Sequence, residues 1–214
     1  MSKTAIVIGG TGVVGREVVE QLATAPHIDK VVSLARRSVE NTSPRVINHQ
    51  IDFDNLAAHA QLFQGVFFFS CLGTTLKQAG SIEAQRRVDL DYQYQCAELA
   101  AAQGCAHYLL VSSSGANRHS PLAYSKMKGE LEHRVKQLPF ESVTIMQPSL
   151  LLGERSEKRT GEELAAAIMP ALCKLPGLRK MRPIRGDEVA RKMVAVSADP
   201  RGGVTTYSLD EIFC

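Results

Sequence analysis

The sequence has no tryptophan, few cysteines and no long apolar run. Its five cysteines form no Cys-x-x-Cys pair, and its six histidines show neither His-x-x-x-His nor His-Glu-x-x-His spacing. These patterns predict no disulfide framework and no metal site. The first residues lack the layout of a signal peptide, and no apolar stretch reaches the roughly 18 residues that a membrane span needs. We therefore expect a cytoplasmic protein that does not bind membranes.

A strong excess of one charge is also absent. The chain has 25 basic and 22 acidic residues in mixed order, for a net charge of +3, which gives no reason to expect a nucleic-acid partner. A chain of 214 residues that is 44% hydrophobic can bury roughly 70% of its unfolded surface around one core. We expect a single domain over residues 1–214, in which the part from about residue 150 to 214 adds a small cap on the substrate side.

Apolar runs of strand length alternate with longer stretches of helical period, which indicates repeated strand-helix units. Strands are predicted near 4–8, 31–35, 46–51, 66–71, 107–113, 142–147 and 204–208. Helices are predicted near 13–24, 55–62, 81–103, 121–137, 161–173 and 187–197. This order predicts an α/β fold with a doubly wound parallel sheet, Rossmann-like and in three α/β/α layers, with a small C-terminal cap.

A glycine-rich stretch separates the first predicted strand from the first predicted helix. It satisfies both G-x-x-G-x-x-G and G-x-G-x-x-G, and it consists of Gly9, Gly10, Thr11, Gly12, Val13, Val14 and Gly15. Glycines at these places allow a tight turn, close approach of the backbone to a pyrophosphate and close packing of the helix on the strand. The free N–H groups of the helix then face the anion. The stretch predicts a dinucleotide-binding loop; a glycine-rich turn without a ligand is the alternative.

The end of the second strand bears on the choice of cofactor. A dinucleotide site usually presents an acidic residue there, about 20 positions beyond the motif, to hold the ribose 2′-hydroxyl. This chain has Arg36 and Arg37 instead. A guanidinium offers charge-assisted hydrogen bonds to a 2′-phosphate, whereas a carboxylate would repel it. We therefore predict NADP(H), with NADPH bound roughly tenfold to a hundredfold more tightly than NADH. The alternative is that the two arginines only solvate a loop.

Two further strand ends carry candidate cofactor contacts. After the third strand, the carboxylate of Asp52 and the amide of Phe53 could bracket an adenine ring, although Asp52 could equally cap the next helix. After the fourth strand stand Leu72, Gly73 and Thr74, in the position where the backbone meets the ligand in open parallel sheets. We expect cofactor contact after the fourth strand, and the two interpretations of Asp52 and Phe53 stay open.

The fifth predicted strand ends in a serine cluster, and a tyrosine and a lysine follow. Tyr124 and Lys128 are four residues apart on a predicted helix, so they share one helix face. A cation lowers the pKa of a nearby phenol from about 10 towards neutrality, which suits a proton donor to a carbonyl oxygen. A serine hydroxyl can polarise the same oxygen. We favour Ser113, then Ser112, and the bend after the strand leaves Ser114 open.

These motifs, in this order and over most of the chain, resemble the short-chain dehydrogenase/reductase family. The form of the glycine motif and the short distance from the serines to the tyrosine are typical of its atypical, epimerase-related branch. Four stretches are similar to the Tat-interacting-protein oxidoreductases and their bacterial relatives, namely Cys71–Thr75, Arg87–Tyr92, Ser112–Asn117 and Lys128–Glu132.

The resemblance implies an NADPH-binding oxidoreductase, monomeric or homodimeric, that acts on a small carbonyl substrate. It further implies that Lys128 binds the cofactor ribose and that the backbone at Ser149 and Leu151 meets the nicotinamide carboxamide. The chain departs from the family at Asp89, where many members have an asparagine that helps to hold a proton-relay water.

Three functions are compatible with these observations. The first is an NADPH-dependent reductase in which Tyr124 donates the proton. The second is a non-catalytic protein that senses NADPH and regulates a partner, because a fold does not decide function. The third is a sugar-nucleotide epimerase or dehydratase. We rank it last because the roughly 60 residues after the sixth strand are fewer than a nucleotide-sugar region usually takes.

Overall fold

Seven parallel strands form the central sheet in the computed structural model, which describes residues 3–38, 43–152 and 182–213. Within these ranges the order across the sheet is β3-β2-β1-β4-β5-β6-β9. The strands are β1 (Thr4–Ile8), β2 (Lys30–Ala35), β3 (Val46–Gln50), β4 (Phe67–Ser70), β5 (His107–Val111), β6 (Ser142–Gln147) and β9 (Gly203–Ser208). Two short strands, β7 (Leu151–Leu152) and β8 (Ile184–Arg185), pair separately. The predicted doubly wound sheet is confirmed.

The strand order reverses beside β1. The chain moves outward from β1 to β2 and β3, and then returns to place β4 on the other side of β1. Connections on the two sides of this point leave the sheet in opposite directions, so a crevice opens at the carboxyl ends of β1 and β4. The topology therefore places the glycine loop, which follows β1, at the edge of this crevice.

The helices cover both faces of the sheet. One face packs against α1 (Val13–Thr24) and α6 (Gly186–Ala198), and the other packs against α4 (Tyr92–Ala102), α5 (Ala123–Val135) and the 3₁₀ segment Phe53–Phe63. Smaller elements are α2 (Leu76–Ala79), α3 (Ile82–Arg86) and the 3₁₀ segment Leu209–Ile212. The helix predicted near 161–173 lies outside the described residues.

The apolar run in β4 shows why the strand is central. Phe67 and Phe69 belong to the core on the α1 and α6 face, whereas Phe68 belongs to the core on the other face. The Phe68 ring lies 5.9 Å from the Phe63 ring and 5.6 Å from the Tyr108 ring. A strand buried on both faces needs apolar residues at every position. Each fully buried phenylalanine contributes about 1.5–3 kcal/mol.

The single helix predicted near 81–103 is interrupted by a π turn, Arg87–Asp91. Gln93 holds this turn from inside the protein. Its side-chain nitrogen donates to the carbonyls of Val88 at 3.3 Å and Asp89 at 3.1 Å. Its side-chain oxygen accepts a hydrogen bond of 2.9 Å from Ser70. The carbonyls that a π turn leaves without α-helical partners are thus satisfied by a buried amide.

Candidate functional site

A cleft of about 400 Å³ opens at the carboxyl ends of β1, β4 and β5. Its volume lies within the range of small-molecule and cofactor sites. Many of the predicted site residues line it, namely Thr11, Gly12, Val13, Val14, Leu72, Gly73, Thr74, Ser112, Tyr124, Lys128 and Leu151. Segments distant in the sequence therefore meet at one place, as the strand order requires.

The glycine loop shapes one wall of this cleft through its backbone. Gly9 has a φ of +78°, and a Cβ there would lie 2.5 Å from the backbone of Cys71. A Cβ on Gly15 would lie 2.1 Å from the carbonyl oxygen of Gly9. The loop is closed by a 2.9 Å hydrogen bond from the Gly12 N–H to the same oxygen. Gly9 and Gly15 therefore fix the shape of the wall without lining the cleft themselves.

Helix α1 begins directly at this wall. Its N-cap, Gly12, has no side chain to accept from the N–H groups of the first turn, which remain directed at the cleft. The N-terminus of the helix also carries partial positive charge. Gly10 lies away from the cleft, since a Cβ there would meet the Ser33 hydroxyl of β2 at 2.8 Å.

Arg36 and Arg37 follow β2 directly and are exposed. They do not line the cleft described above. The Arg36 carbonyl accepts a 3.3 Å hydrogen bond from the Gln50 side chain, which ties the end of β2 to the end of β3. Because β2 pairs with β1, both guanidinium groups extend from the strand next to the glycine loop.

The structure gives Asp52 a capping role. Its carboxylate accepts a 2.9 Å hydrogen bond from the Asp54 N–H and begins the 3₁₀ segment. Phe53 is 3% exposed, and its ring lies 5.5 Å from that of Tyr92. Phe53 thus belongs to the core.

Tyr124 and Lys128 occupy successive turns of α5 on the cleft side. Tyr124 lies at the mouth and is 40% exposed, whereas Lys128 lies at the floor and is 2% exposed. The predicted spacing therefore places the phenol where a substrate can reach it and the ammonium beneath it.

Lys128 is paired with Asp89 of the π turn. Its Nζ lies 3.1 Å from Asp89 Oδ1, and both side chains are buried. The second oxygen, Asp89 Oδ2, accepts a 3.1 Å hydrogen bond from the Thr74 N–H. Burial alone lowers the pKa of a lysine, but the charges of Asp89, Tyr124 and Glu132 outweigh it, so the pKa of Lys128 lies above its ordinary value.

The serines differ in what their hydroxyl groups contact. Ser112 lines the cleft but donates to Glu132 Oε1 at 2.5 Å. The same carboxylate accepts bonds of 2.9 and 3.1 Å from Gln147. Ser113, the favoured candidate, is half-buried and does not line the cleft, and within the described residues its hydroxyl has no hydrogen-bond partner. The exposed Ser114 donates its N–H to the carbonyl of Pro148. Ser113 is therefore the serine whose hydroxyl remains available.

The turn after β6 has two roles. Leu151 lines the cleft. Ser149 instead donates its hydroxyl to the carbonyl of Arg182 at 2.5 Å, and this bond fastens the turn to the segment before β8. The Ser149 side chain is thus structural, and Ser149 does not line the cleft.

The structure also adds residues that the motifs did not indicate. Arg16 and Gln78 line the cleft. Gln78 is the third residue of α2, whose N-cap Thr75 accepts from the Gln78 N–H at 3.1 Å. The Thr-x-x-Gln spacing is a helix-start signature, so this residue was detectable. Arg16 had a weaker signal, as it follows the last glycine of the loop by one position.

Cys71 lies between the glycine loop and Lys128. A Cβ on Gly15 would be 3.1 Å from the Cβ of Cys71. The thiol is buried, although the residue as a whole is partly exposed. Burial raises the pKa of Cys71 to about 12, and the nearby Lys128 charge lowers it only in part. A thiol that stays protonated is a poor nucleophile.

The described ranges contain no group of three or more histidine, cysteine or acidic side chains arranged to hold a metal ion. They also contain no helix that combines the length and apolar character needed to cross a bilayer.

A family model described as "NAD dependent epimerase/dehydratase family" matches residues 5–174. "Protein HTATIP2" from Rattus norvegicus is 36% identical over 175 residues, which are 80% of this chain and 72% of that protein. "Protein FMP52, mitochondrial" from Eremothecium gossypii is 34% identical over 219 residues, which are 97% of this chain and 95% of that protein. These relatives confirm the predicted resemblance.

Solved structures share the fold at lower identity. The enzyme described as "MoeE5 in complex with UDP-glucuronic acid and NAD" is 15% identical, with a TM-score of 0.73, and the match covers 96% of this chain and 76% of that chain. DesIV from Streptomyces venezuelae, described as a dTDP-glucose 4,6-dehydratase with NAD and TYD bound, is 16% identical, with a TM-score of 0.72, and the match covers 96% and 75%. They support the fold alone.

The expected cytoplasmic location is contradicted by the relatives. The fungal proteins from Eremothecium gossypii and Saccharomyces cerevisiae, which match 97% and 92% of this chain, are named as mitochondrial. The expectation used the absence of an apolar leader as its criterion. Mitochondrial transit peptides are amphipathic rather than apolar, so that criterion does not separate the two compartments.

Proposed function

Because this chain belongs to the NAD-dependent epimerase/dehydratase family, we propose that it is an NADPH-dependent oxidoreductase that reduces the carbonyl group of a small substrate. The observation that carries the proposal is the cleft itself. In it, the N-terminus of α1 lies opposite the Tyr124 and Lys128 side chains of α5. A wall that can bind an anion and a wall that can donate a proton thus line the same cleft.

The residues present fit a dinucleotide. The Gly9 and Gly15 contacts keep side chains out of the wall, so the first turn of α1 can approach a pyrophosphate. The backbone from Leu72 to Thr74 continues this wall at the end of β4. Arg36 and Arg37, extending from the adjacent β2, would bind the 2′-phosphate that distinguishes NADPH from NADH. When bound, the dihydronicotinamide supplies a hydride.

The chain's own residues perform the rest of the reduction. Tyr124, at the mouth of the cleft, donates a proton to the carbonyl oxygen as the hydride reaches the carbonyl carbon. Lys128 holds positive charge beneath the phenol and favours its ionised form after transfer. The Ser113 hydroxyl donates a hydrogen bond to the same carbonyl oxygen and orients the substrate.

Turnover tests the proposal directly. NADPH consumption is followed by absorbance across a panel of aldehydes, ketones and quinones, with the wild-type protein and Tyr124→Phe in parallel. Tyr124 is exposed, so the variant should fold, bind NADPH with nearly unchanged affinity and lose turnover. Turnover that survives in Tyr124→Phe would contradict the role of the phenol.

Cofactor preference is a separate test. NADPH and NADH are titrated into the wild type and into Arg36→Ala and Arg37→Ala. We expect NADPH to bind about tenfold to a hundredfold more tightly than NADH, and we expect the difference to shrink when the guanidinium that holds the phosphate is removed. Equal affinities in the wild type would contradict NADP specificity.

One observation favours a second function, a protein that binds NADPH and regulates a partner without turnover. Lys128 is paired with Asp89 at 3.1 Å, and a neutralised pair has less influence on the phenol than a lone ammonium. If no compound on the panel is reduced while NADPH still binds tightly, this function takes precedence. The search then moves from substrates to protein partners.

A further inference from the structure

The π turn brings a carboxylate to the floor of the cleft. Asp89 is fully buried and contacts Lys128 on one side, and it accepts from the Thr74 backbone on the other. It therefore joins the π turn to two segments that border the cleft, the turn after β4 and α5. An asparagine at this place could accept the Thr74 hydrogen bond equally well. Only a carboxylate can neutralise the ammonium.

Burial makes this distinction important for Lys128. A lysine in a buried site without a counter-charge loses its proton readily, because the charged form is costly to desolvate. The Lys128 side chain is 3% exposed, so its ammonium depends on neighbouring charge. Asp89 at 3.1 Å is well placed to provide it.

The other groups that face Lys128 supply less negative charge to it. On its own helix, Tyr124 lies one turn before it and Glu132 one turn after. The Glu132 carboxylate is already engaged by Ser112 and Gln147. From β4, the Cys71 thiol faces Lys128 and stays protonated, because burial raises its pKa to about 12. Among these groups, only Asp89 makes direct ion-pair contact with the amine.

The surrounding structure holds Asp89 in position. Gln93 bonds to the Asp89 carbonyl at 3.1 Å and is itself bonded to Ser70 of β4. The π turn is therefore anchored to the central sheet through Gln93. Such turns are frequent at functional sites, and this one fixes the direction of a single carboxylate.

We propose that Asp89 is a positioning residue that keeps Lys128 charged and directed at the cofactor cleft. Its value for catalysis rests on the reductase function proposed above. Its effect on Lys128 does not, since that effect is a property of the ligand-free protein. The consequence is that Lys128 keeps its ammonium form from pH 7 to about 10. With an asparagine at this place, Lys128 would lose its proton within that range.

The decisive measurement is the titration of Lys128 by NMR, using protein labelled with ¹³C at lysine Cε. The Lys128 resonance is identified by its absence from Lys128→Met. In the wild type we expect it to remain in the ammonium form from pH 7 to about 10. In Asp89→Asn we expect the midpoint to fall by about one pH unit or more. Asp91→Asn is the matched control, because Asp91 ends the same π turn and contacts Arg86 instead.

A second measurement uses the cofactor. NADPH is titrated between pH 7 and 9.5, above the range where its 2′-phosphate titrates at about pH 6. In Asp89→Asn the dissociation constant should rise by about twofold or more across this range as Lys128 loses its charge. The wild type and Asp91→Asn should change little. In protein that already carries Lys128→Met, Asp89→Asn should not change how the NADPH dissociation constant depends on pH.

The outcomes separate the two proposals. If wild-type protein reduces no carbonyl, the reductase function fails, while the Lys128 titration still tests Asp89. If the Lys128 midpoint in Asp89→Asn equals that of the wild type, the role of Asp89 is wrong. If Asp89→Asn does not fold, the wild-type titration is sufficient. A Lys128 that loses its proton at a lower pH than the surface lysines would overturn the proposal without any variant.

Discussion

The two walls of the cleft are built in different ways. The wall after β1 consists of backbone, with Gly9 and Gly15 held against each other by contacts that leave no space for a Cβ. The wall on α5 consists of side chains, in which Lys128 and Glu132 lie one turn apart. Lys128 pairs with the Asp89 carboxylate, whereas Glu132 accepts hydrogen bonds from the neutral donors Ser112 and Gln147 and has its cation, Lys136, only at 4.0 Å.

The two walls differ in how far apart in the chain the residues that shape them lie. The glycine loop of the backbone wall consists of residues within seven positions of one another, so a sequence motif describes that part, whereas the contact of the loop with Cys71 is distant in the chain. The side-chain wall depends on partners 15 to 39 positions away in the chain, such as Gln147 for Glu132 and Asp89 for Lys128. A change on the first wall acts through steric contact, and a change on the second acts through loss of a polar partner.

The largest effect is expected for Lys128→Met. It leaves the Asp89 carboxylate buried without its counter-charge, which costs about 3–5 kcal/mol of unfolding free energy. Urea unfolding at pH 7 measures this loss, and Lys126→Met on the exposed face of the same helix is the control. Adding Asp89→Asn should recover much of the loss. A single variant as stable as the wild type would show that the pair contributes nothing.

Gly15→Ala tests the backbone wall. The new Cβ would lie 2.1 Å from the Gly9 carbonyl oxygen, so the loop must shift, at a cost of about 3 kcal/mol. NADPH affinity should fall together with stability, because the shifted loop is the proposed cofactor wall. Gly202→Ala is the control, since its Cβ would meet nothing nearer than 3.9 Å. Unchanged NADPH binding in Gly15→Ala would refute a cofactor role for this wall.

The two serines should separate structure from catalysis. Ser112→Ala removes a donor from the buried Glu132 carboxylate, at a cost of about 1–2 kcal/mol. Ser113→Ala should leave stability within about 0.5 kcal/mol, because its hydroxyl has no partner in the described structure. It should lower carbonyl turnover about a hundredfold. Thermal unfolding and NADPH consumption on both variants distinguish the roles, and the reverse pattern would make Ser112 the catalytic serine.

At neutral pH the smallest effect is expected for Cys71, which lies between the two walls and whose thiol keeps its proton there in both the folded and the unfolded chain. Its pKa in the folded protein is raised to about 12, whereas an unfolded cysteine titrates near 8.5. Above about pH 8.5 the unfolded chain loses this proton and the folded protein keeps it, so stability falls as pH rises. Cys71→Ala should reduce that fall by about 1.4 kcal/mol per pH unit between pH 9 and 11. Parallel curves for wild type and variant would contradict the shift.

Sequence reasoning recovered what is local. The seven main-sheet strands, the start of α1 at Val13 and the Tyr124–Lys128 spacing were all predictable, because each depends on neighbours within a few residues. For Asp52 the sequence left two roles open, cofactor contact and capping of the next helix, and in the structure Asp52 caps the helix. What lay beyond the sequence depends on long-range contact. The engagement of Ser112 by Glu132 is an example, since strand alternation alone does not reveal what lies opposite a hydroxyl.

The π turn is the clearest case, because no residue type marks it. A π turn accommodates one more residue than the α-helical turn that it replaces. Deleting one residue between Arg87 and Asp91 would restore α-helix and rotate the preceding segment by about 100° relative to α4. The Asp89 carboxylate would then leave Lys128 although both residues remained in the chain. In related sequences, a gap of one residue at this helix would therefore mark loss of the ion pair even where both charged residues are kept.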